Sequence, residues 1–294
     1  MKKPIESSEL IINSDGSIFH LHLHPENISE NIILVGDPDR VNVVSDFFDS
    51  VDFKMQNREF VTHTGKYKGQ PITVISTGIG TDNIDIVVNE LDALVNIDLK
   101  TRNINTKQKS LNLVRIGTSG ALQKDIPVDT YVVSKKAIGF DGLLNFYANR
   151  SSFADLAMEK AFVEHVNWND LLPKPYFVES SEKLFNLLQG GKSIQSGITI
   201  SAPGFYGPQG RILRLPIIDS QINDKIEKFE FNKQRITNYE MESSAIYGLS
   251  KLLGHNAVTV CAIIANRIRK EYSKDYKPVV ENLIQYVLDR LITL

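Results

Sequence analysis

A carboxamide and a guanidinium stand two positions apart in Gly204-Phe205-Tyr206-Gly207-Pro208-Gln209-Gly210-Arg211, just after two aromatic rings. In an extended segment the side chains at i and i+2 point the same way, so Gln209 and Arg211 can converge on one planar ligand. The amide offers an acceptor and donors, the guanidinium donors only. The Watson–Crick edge of uracil asks for that set: a donor to O2, an acceptor for N3–H and a donor to O4. A positive charge near O4 also favours departure of the base as an anion. The plainer reading is a polar surface turn with a solvated arginine. A sugar site and an attacking group elsewhere in the chain would decide between them.

Three stretches offer anion chemistry. Gly36-Asp37-Pro38-Asp39-Arg40 sets backbone N–H groups and Arg40 at a helix start, a geometry suited to anions. Arg115-Ile116-Gly117-Thr118-Ser119-Gly120 adds a second arginine, a hydroxyl and amides freed by glycine. Arg58-Glu59, in a polar segment before Phe60, offers a third. Each also reads as a cap or an ion pair, with Arg40 answering Asp37 or Asp39. Three arginines beside glycine turns together favour phosphate, which a guanidinium binds bidentately. No Gly-rich stretch has P-loop or dinucleotide-fingerprint spacing, so ATP and NAD are not indicated.

Asn238-Tyr239-Glu240-Met241-Glu242-Ser243-Ser244 reads as the start of a helix carrying two carboxylates. Side chains at i and i+2 on a helix diverge by about 200°, so Glu240 and Glu242 face one ligand only across a strand-to-helix junction. One carboxylate suits two vicinal ribose hydroxyls, and the other reads as a first-turn charge on the helix dipole. Ile18-Phe19-His20-Leu21-His22-Leu23-His24 alternates histidine with apolar residues. No nearby carboxylate is nominated to complete a zinc site, and a half-exposed edge strand explains the alternation. The other reading is a single histidine reaching into a site, on a neighbouring subunit.

The elements that must position these groups are short apolar runs alternating with helical patterns. Strands are expected at 31–35, 70–76, 111–116, 130–134, 196–201 and 258–265. Helices are expected from Pro38 to about Phe48, 82–95, 238–253 and 278–291, with Asp37 as a cap and Gly254 as a stop. Continuous apolar strands separated by helices mean an α/β fold with a central mixed, mostly parallel sheet flanked by helices. Sites in such folds lie beyond the carboxyl ends of strands, here Gly36, Gly78, Gly117 and Pro203. Residues 1–17 read as a polar N-terminal segment and 18–294 as one domain, with Asn96–Ser110 an exposed loop.

The 294 residues suffice for a sizeable core, and a net charge of −2 leaves no electrostatic footprint for nucleic acid or anionic membrane. The single cysteine, Cys261, excludes an internal disulfide and a cysteine-based zinc site. With no signal-peptide pattern and no membrane-length apolar run, the expectation is a soluble cytoplasmic protein.

Val-Gly-Asp-Pro-Asp-Arg, Ser-Thr-Gly-Ile-Gly, Val-Arg-Ile-Gly-Thr-Ser-Gly-Ala, Phe-Tyr-Gly-Pro-Gln-Gly-Arg and Tyr-Glu-Met-Glu-Ser-Ser follow one another in register. Over roughly residues 18–270 they resemble the nucleoside phosphorylase I family, and within it the uridine-cleaving members. The resemblance implies a nucleoside phosphorylase-like fold and a homodimer or dimer-based homohexamer with shared active sites. It implies that Gly36, Arg40, Arg115, Gly117 and Thr118 hold phosphate, joined by Arg58 from the adjacent subunit. It implies that Met241 and Glu242 hold ribose, with His20 reaching in from the neighbour. Gln209 and Arg211 would read the base, beside Phe205, Ser119 and Gly120. Similar enzymes bind a monovalent cation, potassium, at the dimer interface through residues matching Glu59, Ile79 and a serine. Asn83 occupies the serine position here, which argues against the ion.

Purine-cleaving relatives carry an aspartate after the late strand, where this chain has Ala265-Asn266-Arg267. The reaction so implied is reversible phosphorolysis of uridine to uracil and ribose 1-phosphate, with inorganic phosphate as co-substrate and no cofactor. Arg211, Arg115 and Glu242 would carry it. Its rivals are a nucleosidase of the same fold and a catalytically silent nucleoside-binding protein.

Overall fold

The computed structural model describes residues 3–191 and 194–294. The first half runs β1 Asn31–Val35, α1 Pro38–Ser45, β2 Ser50–Asn57, β3 Phe60–Tyr67, β4 Gln70–Ser76, α2 Thr81–Asn96, β5 Ile97–Asp98, β6 Asn103–Ile104 and β7 Asn112–Ala121. The second runs β8 Tyr131–Gly139, α3 Leu156–Val166, β9 Tyr176–Glu179, α4 Glu182–Leu188, β10 Ile194–Ser201, α5 Ile222–Glu227, β11 Glu230–Phe231, β12 Gln234–Glu240, α6 Ser243–Leu253, β13 Asn256–Asn266, β14 Glu271–Tyr272 and α7 Lys277–Leu291.

The main sheet is ordered β2-β3-β4-β1-β7-β13-β8-β10-β12-β11. It is mixed. β1 pairs in parallel with β4 and β7, and β7 with β13, while β2, β3 and β4 form an antiparallel meander. The far end of β7 also pairs with β12, Ala121 opposite Asn238 and Gly120 opposite Tyr239. That pairing closes β7, β13, β8, β10 and β12 into a ring. Helices cover both faces. Val87, Val88 and Leu91 of α2 pack with Ile246 and Leu249 of α6, whereas Val41 of α1, Leu184 of α4 and Leu283 of α7 share a core on the other side. A third core gathers Phe140, Phe162, Phe177 and Phe229 around Tyr239.

Several expectations need correction. β7 runs through Gly117 to Ala121 instead of stopping at Ile116, because β13 pairs along its whole length and β12 joins its far end. Residues 238–240 end a strand, and the following helix begins only at Ser243. Asn96–Ser110 contains the short β5–β6 hairpin, whose Arg102 carbonyl accepts from Ile5 N at 2.9 Å. The strands β2 and β3 lie in a stretch for which no element was expected, around the polar segment of Arg58 and Glu59. β2 alternates exposed and half-buried positions, a pattern of period two that its many polar residues obscured. Among the described residues no helix is long and apolar enough to cross a membrane.

Gly248 of α6 lies so close to the buried Leu144 that a Cβ there would stand 2.8 Å from Leu144 Cγ. In a free helix, glycine to alanine gains ~1 kcal/mol. Overpacking a filled core costs ~1–3 kcal/mol, so the clash outweighs the propensity. Gly248→Ala is therefore expected to lower the melting temperature; an unchanged or higher value would show that Leu144 gives way.

Candidate active site

Beyond the carboxyl ends of β1, β4, β10 and β12 lies a cavity of about 860 Å³. Gly36, Arg40, Arg115 and Thr118 line one part, and Phe205, Gln209, Arg211 and Tyr239 another. Ser119, Gly120, Met241 and Glu242 also line it.

The anion end begins with α1. Asp37 uses its carboxylate as the N-cap, accepting from Asp39 N at 3.0 Å, so it caps the helix instead of pairing with Arg40. Burial, and then the charge of Arg115, lower the proton affinity of the Arg40 guanidinium. A bound anion would relieve both. Arg115 is 5 % exposed on β7. Its Nε donates to Glu240 Oε2 at 3.1 Å and its Nη2 to Glu242 Oε2. Burial acts to depress its proton affinity, but Glu242 and Glu240 outweigh that and hold it above the ordinary value. Its Nη1 is buried and has no hydrogen-bond partner among the described residues. Gly117, expected among the phosphate ligands, does not line the cavity. A Cβ there would stand 3.0 Å from Cys261 Sγ and 3.2 Å from Arg115 Cζ, so this glycine makes room for the guanidinium.

The two carboxylates do meet across a strand-to-helix junction, because β12 ends at Glu240 and Glu242 is the N-cap position of α6. Glu242 Oε1 accepts from Gly80 N, at the start of α2, at 2.8 Å. Burial, reinforced by Glu240 and opposed by Arg115, raises the Glu242 carboxyl to about 7. Each of its oxygens keeps a second lone pair for a hydroxyl donor. Cys261, behind Arg115, is pushed up to about 12 by burial and stays a neutral thiol.

At the other end, Gln209 and Arg211 converge, though not through extended geometry. Gly207–Gln209 is a 3-10 turn, and Arg211 Nη1 folds back to donate to Gln209 Oε1 and to the Phe205 carbonyl. The Arg211 guanidinium lies 3.7 Å from the Phe205 ring centroid. Burial and the neighbouring Arg267 push Arg211 down to about 10. Arg267 donates to the Gln209 carbonyl, and its Nη2 to Gln209 Oε1 at 3.4 Å. The Gln209 Oε1 is thus held by two arginines, with Tyr239 beneath Arg267 at 5.3 Å.

Arg58 and His20 do not line this cavity. Arg58 is exposed at the β2–β3 turn with φ of +56°, over Phe19 at 6.0 Å. The alternating histidines form no edge strand: His20 lies in a turn whose His20 and Leu21 N–H groups donate to Glu90 of α2, and His22 and His24 follow in irregular backbone. His20 Nδ1 meets Glu90 Oε1 at 2.6 Å, while His22 turns to Asp15 at 3.0 Å. Among the described residues no three His, Cys, Asp or Glu side chains group as a metal site. Glu59, Ile79 and Asn83 share one wall of the cavity.

Sequence reasoning missed Arg267 and Tyr239. Asn266 signals only the missing acid. It is buried off the cavity, donating to the Gln123 and Ile126 carbonyls at 2.9 and 2.7 Å. Nothing local distinguishes Arg267 from a solvated arginine, since its partner Gln209 lies 58 positions away.

Known proteins share this architecture. The chain is similar to the uridine phosphorylase of Thermococcus kodakarensis, with 30 % identity over 274 residues covering 93 % of this chain and 86 % of that protein. It is 28 % identical over 247 residues to a DeoD-type purine nucleoside phosphorylase of Listeria monocytogenes, covering 83 % of this chain and 85 % of that one. A Trypanosoma brucei nucleoside phosphorylase, whose crystal structure is described as showing uridine phosphorylase activity, superposes with a TM-score of 0.88 at 28 % identity, over 97 % of this chain and 100 % of that one. With residues 30–293 matching its sequence pattern, the chain belongs to the phosphorylase superfamily and is an enzyme of the pentosyltransferase class.

Proposed function

We propose that the cavity catalyses reversible phosphorolysis of uridine to uracil and ribose 1-phosphate. The observation that carries this reading is Arg115. It is clamped by Glu240 and Glu242 on two sides, and it lines the cavity together with Arg40 and Thr118. An anion there would offset the repulsion between the Arg40 and Arg115 guanidiniums. The activity named for the Thermococcus and Trypanosoma proteins supports uridine as the substrate.

In this mechanism Gly36, Arg40, Arg115 and Thr118 hold phosphate against C1′. Met241 and Glu242 hold the ribose, with Glu242 ionised to accept from its hydroxyls. A phosphate oxygen forms its bond to C1′ as the C1′–N1 bond breaks, through an oxocarbenium-like ribosyl group. The bonding pair leaves with uracil, and Arg211 stabilises the charge on O4 before the base is protonated by solvent. Holding two reactants together lowers the barrier by roughly 7–11 kcal/mol. Gln209 must give up its long contact with Arg267 to accept N3–H, while its Nε2 donates to O2. Arg58 and His20 enter from a second copy of the chain, which accounts for their positions outside their own cavity.

Uracil release should require phosphate; undiminished cleavage in phosphate-free buffer would identify a hydrolase, and uridine binding without turnover a silent binder. Arg211→Ala is expected to lower kcat/KM for uridine by about 10²–10³-fold, the range for removing one preorganised donor. Equal rates would remove Arg211 from the base site. Because Glu242 must lose its proton to accept both hydroxyls, kcat/KM for uridine should rise with pH and level off above a midpoint near 7. A profile flat from pH 5 to 8 would exclude that role. Co-expressed Arg58→Ala and Arg211→Ala chains, each strongly impaired alone, should regain about a quarter of wild-type activity if sites are shared across a two-fold axis. No recovery in a mixed dimer would show that Arg58 does not act across that axis.

A further inference from the structure

We propose that Glu240 is a positioning residue that sets the Arg115 guanidinium for phosphate, on the reading of the cavity given above. Although Glu240 lines the cavity, its carboxylate has no capacity left for a ligand. Oε2 accepts from Arg115 Nε at 3.1 Å, from Glu242 N at 2.9 Å and from Ser243 N at 3.1 Å. Oε1 accepts from Ser243 N at 3.0 Å and from Ser201 Oγ, which in turn accepts from Ser244 N at 2.8 Å. Every partner is a donor, the set an ionised carboxylate satisfies.

One carboxylate therefore does two jobs. It caps the first turn of α6, and it holds Arg115 from the Nε side while Glu242 holds Nη2. With Nε and Nη2 committed, rotation of the guanidinium is blocked, which fixes its plane where Arg115 lines the cavity. A guanidinium presents its donors as a rigid planar fork, so tilting it by loss of one clamp spoils the geometry at the other nitrogens.

A cap alone predicts lost stability and nothing more. A clamp predicts altered chemistry as well. The groups facing Glu242 are Arg115 from β7, Glu240 from β12 and the Gly80 N–H at the start of α2. The Cys261 thiol of β13 is neutral, and Arg40 of α1 acts through Arg115. Of these, only Glu240 adds negative charge, so neutralising it should make Glu242 a stronger acid.

The test compares Glu240→Gln and Glu240→Asp with the wild-type chain, varying phosphate and pH. Glu240→Gln should lower kcat/KM for phosphate about ten- to hundredfold, the range for losing a hydrogen bond to a charged group. It should also move the acid limb of kcat/KM for uridine to lower pH. Glu240→Asp keeps the charge but withdraws the carboxylate by one methylene, so phosphate kcat/KM should fall with the limb unmoved. An unmoved limb in Glu240→Gln, or unchanged phosphate kinetics with only a lower melting temperature, would reduce Glu240 to a cap and overturn the proposal. If Glu240→Gln does not fold, wild-type phosphate kinetics in Glu240→Asp would overturn it. If the wild-type chain releases no uracil, the reading of the cavity fails, and calorimetry with inorganic phosphate decides separately. Weaker binding by Glu240→Gln than by wild type upholds the clamp, and equal or absent binding in both overturns it.

Discussion

Arg115 lies out of water between Glu240 and Glu242, and nearly every feature of the cavity depends on that arrangement. Burying three charges is costly unless each finds partners, and removing one member of such a set costs ~3–5 kcal/mol because the others are stranded. The chain meets this requirement with backbone. Gly80, Glu242 and Ser243 each turn an N–H toward a carboxylate, so two helix N-termini supply what a second cation would otherwise provide. The excess negative charge of the pair is balanced by Arg115 and, further out, by Arg40.

The ring of strands makes this possible. Closing β12 onto β7 brings the end of β12 beside the second half of β7, so Glu240 arrives at Arg115 from across the ring. Without that pairing, the 125 positions between them would leave the contact to chance. The same closure sets Tyr239 under Arg267, tying the base end to the anion end through consecutive residues of one strand. A polar gradient results. Two guanidiniums stand at one end, a buried carboxylate in the middle, and a pair of arginines grips one carboxamide at the other.

Much of this was legible from local pattern. The strand at 31–35 and the helix opened by Asp37 and Pro38 follow from a continuous apolar run, a capping side chain and a proline whose missing N–H costs nothing there. The strand at 70–76 follows likewise. Misreadings cluster where a local pattern had two solutions. Asn238–Glu242 carries enough polar residues to resemble a helix start, yet its partners β10 and β7 make residues 238–240 the end of a strand. The histidines at 20, 22 and 24 alternate like a strand, but Glu90 binds the backbone there and bends it.

By itself the sequence determined the chemical inventory: two arginines beside glycine turns and a third in a polar segment, two carboxylates two residues apart, and an amide–guanidinium pair behind aromatic rings. It also determined the α/β class, because hydrophobic periodicity is a local property that survives whatever the strands later pair with. Tertiary structure alone decided that both carboxylates meet Arg115, that Arg267 joins Gln209, and that Arg58 and His20 stay outside their own chain's cavity. Those outcomes rest on contacts between residues far apart in sequence. Their energies depend on burial and hydrogen-bond geometry, which no local spacing encodes.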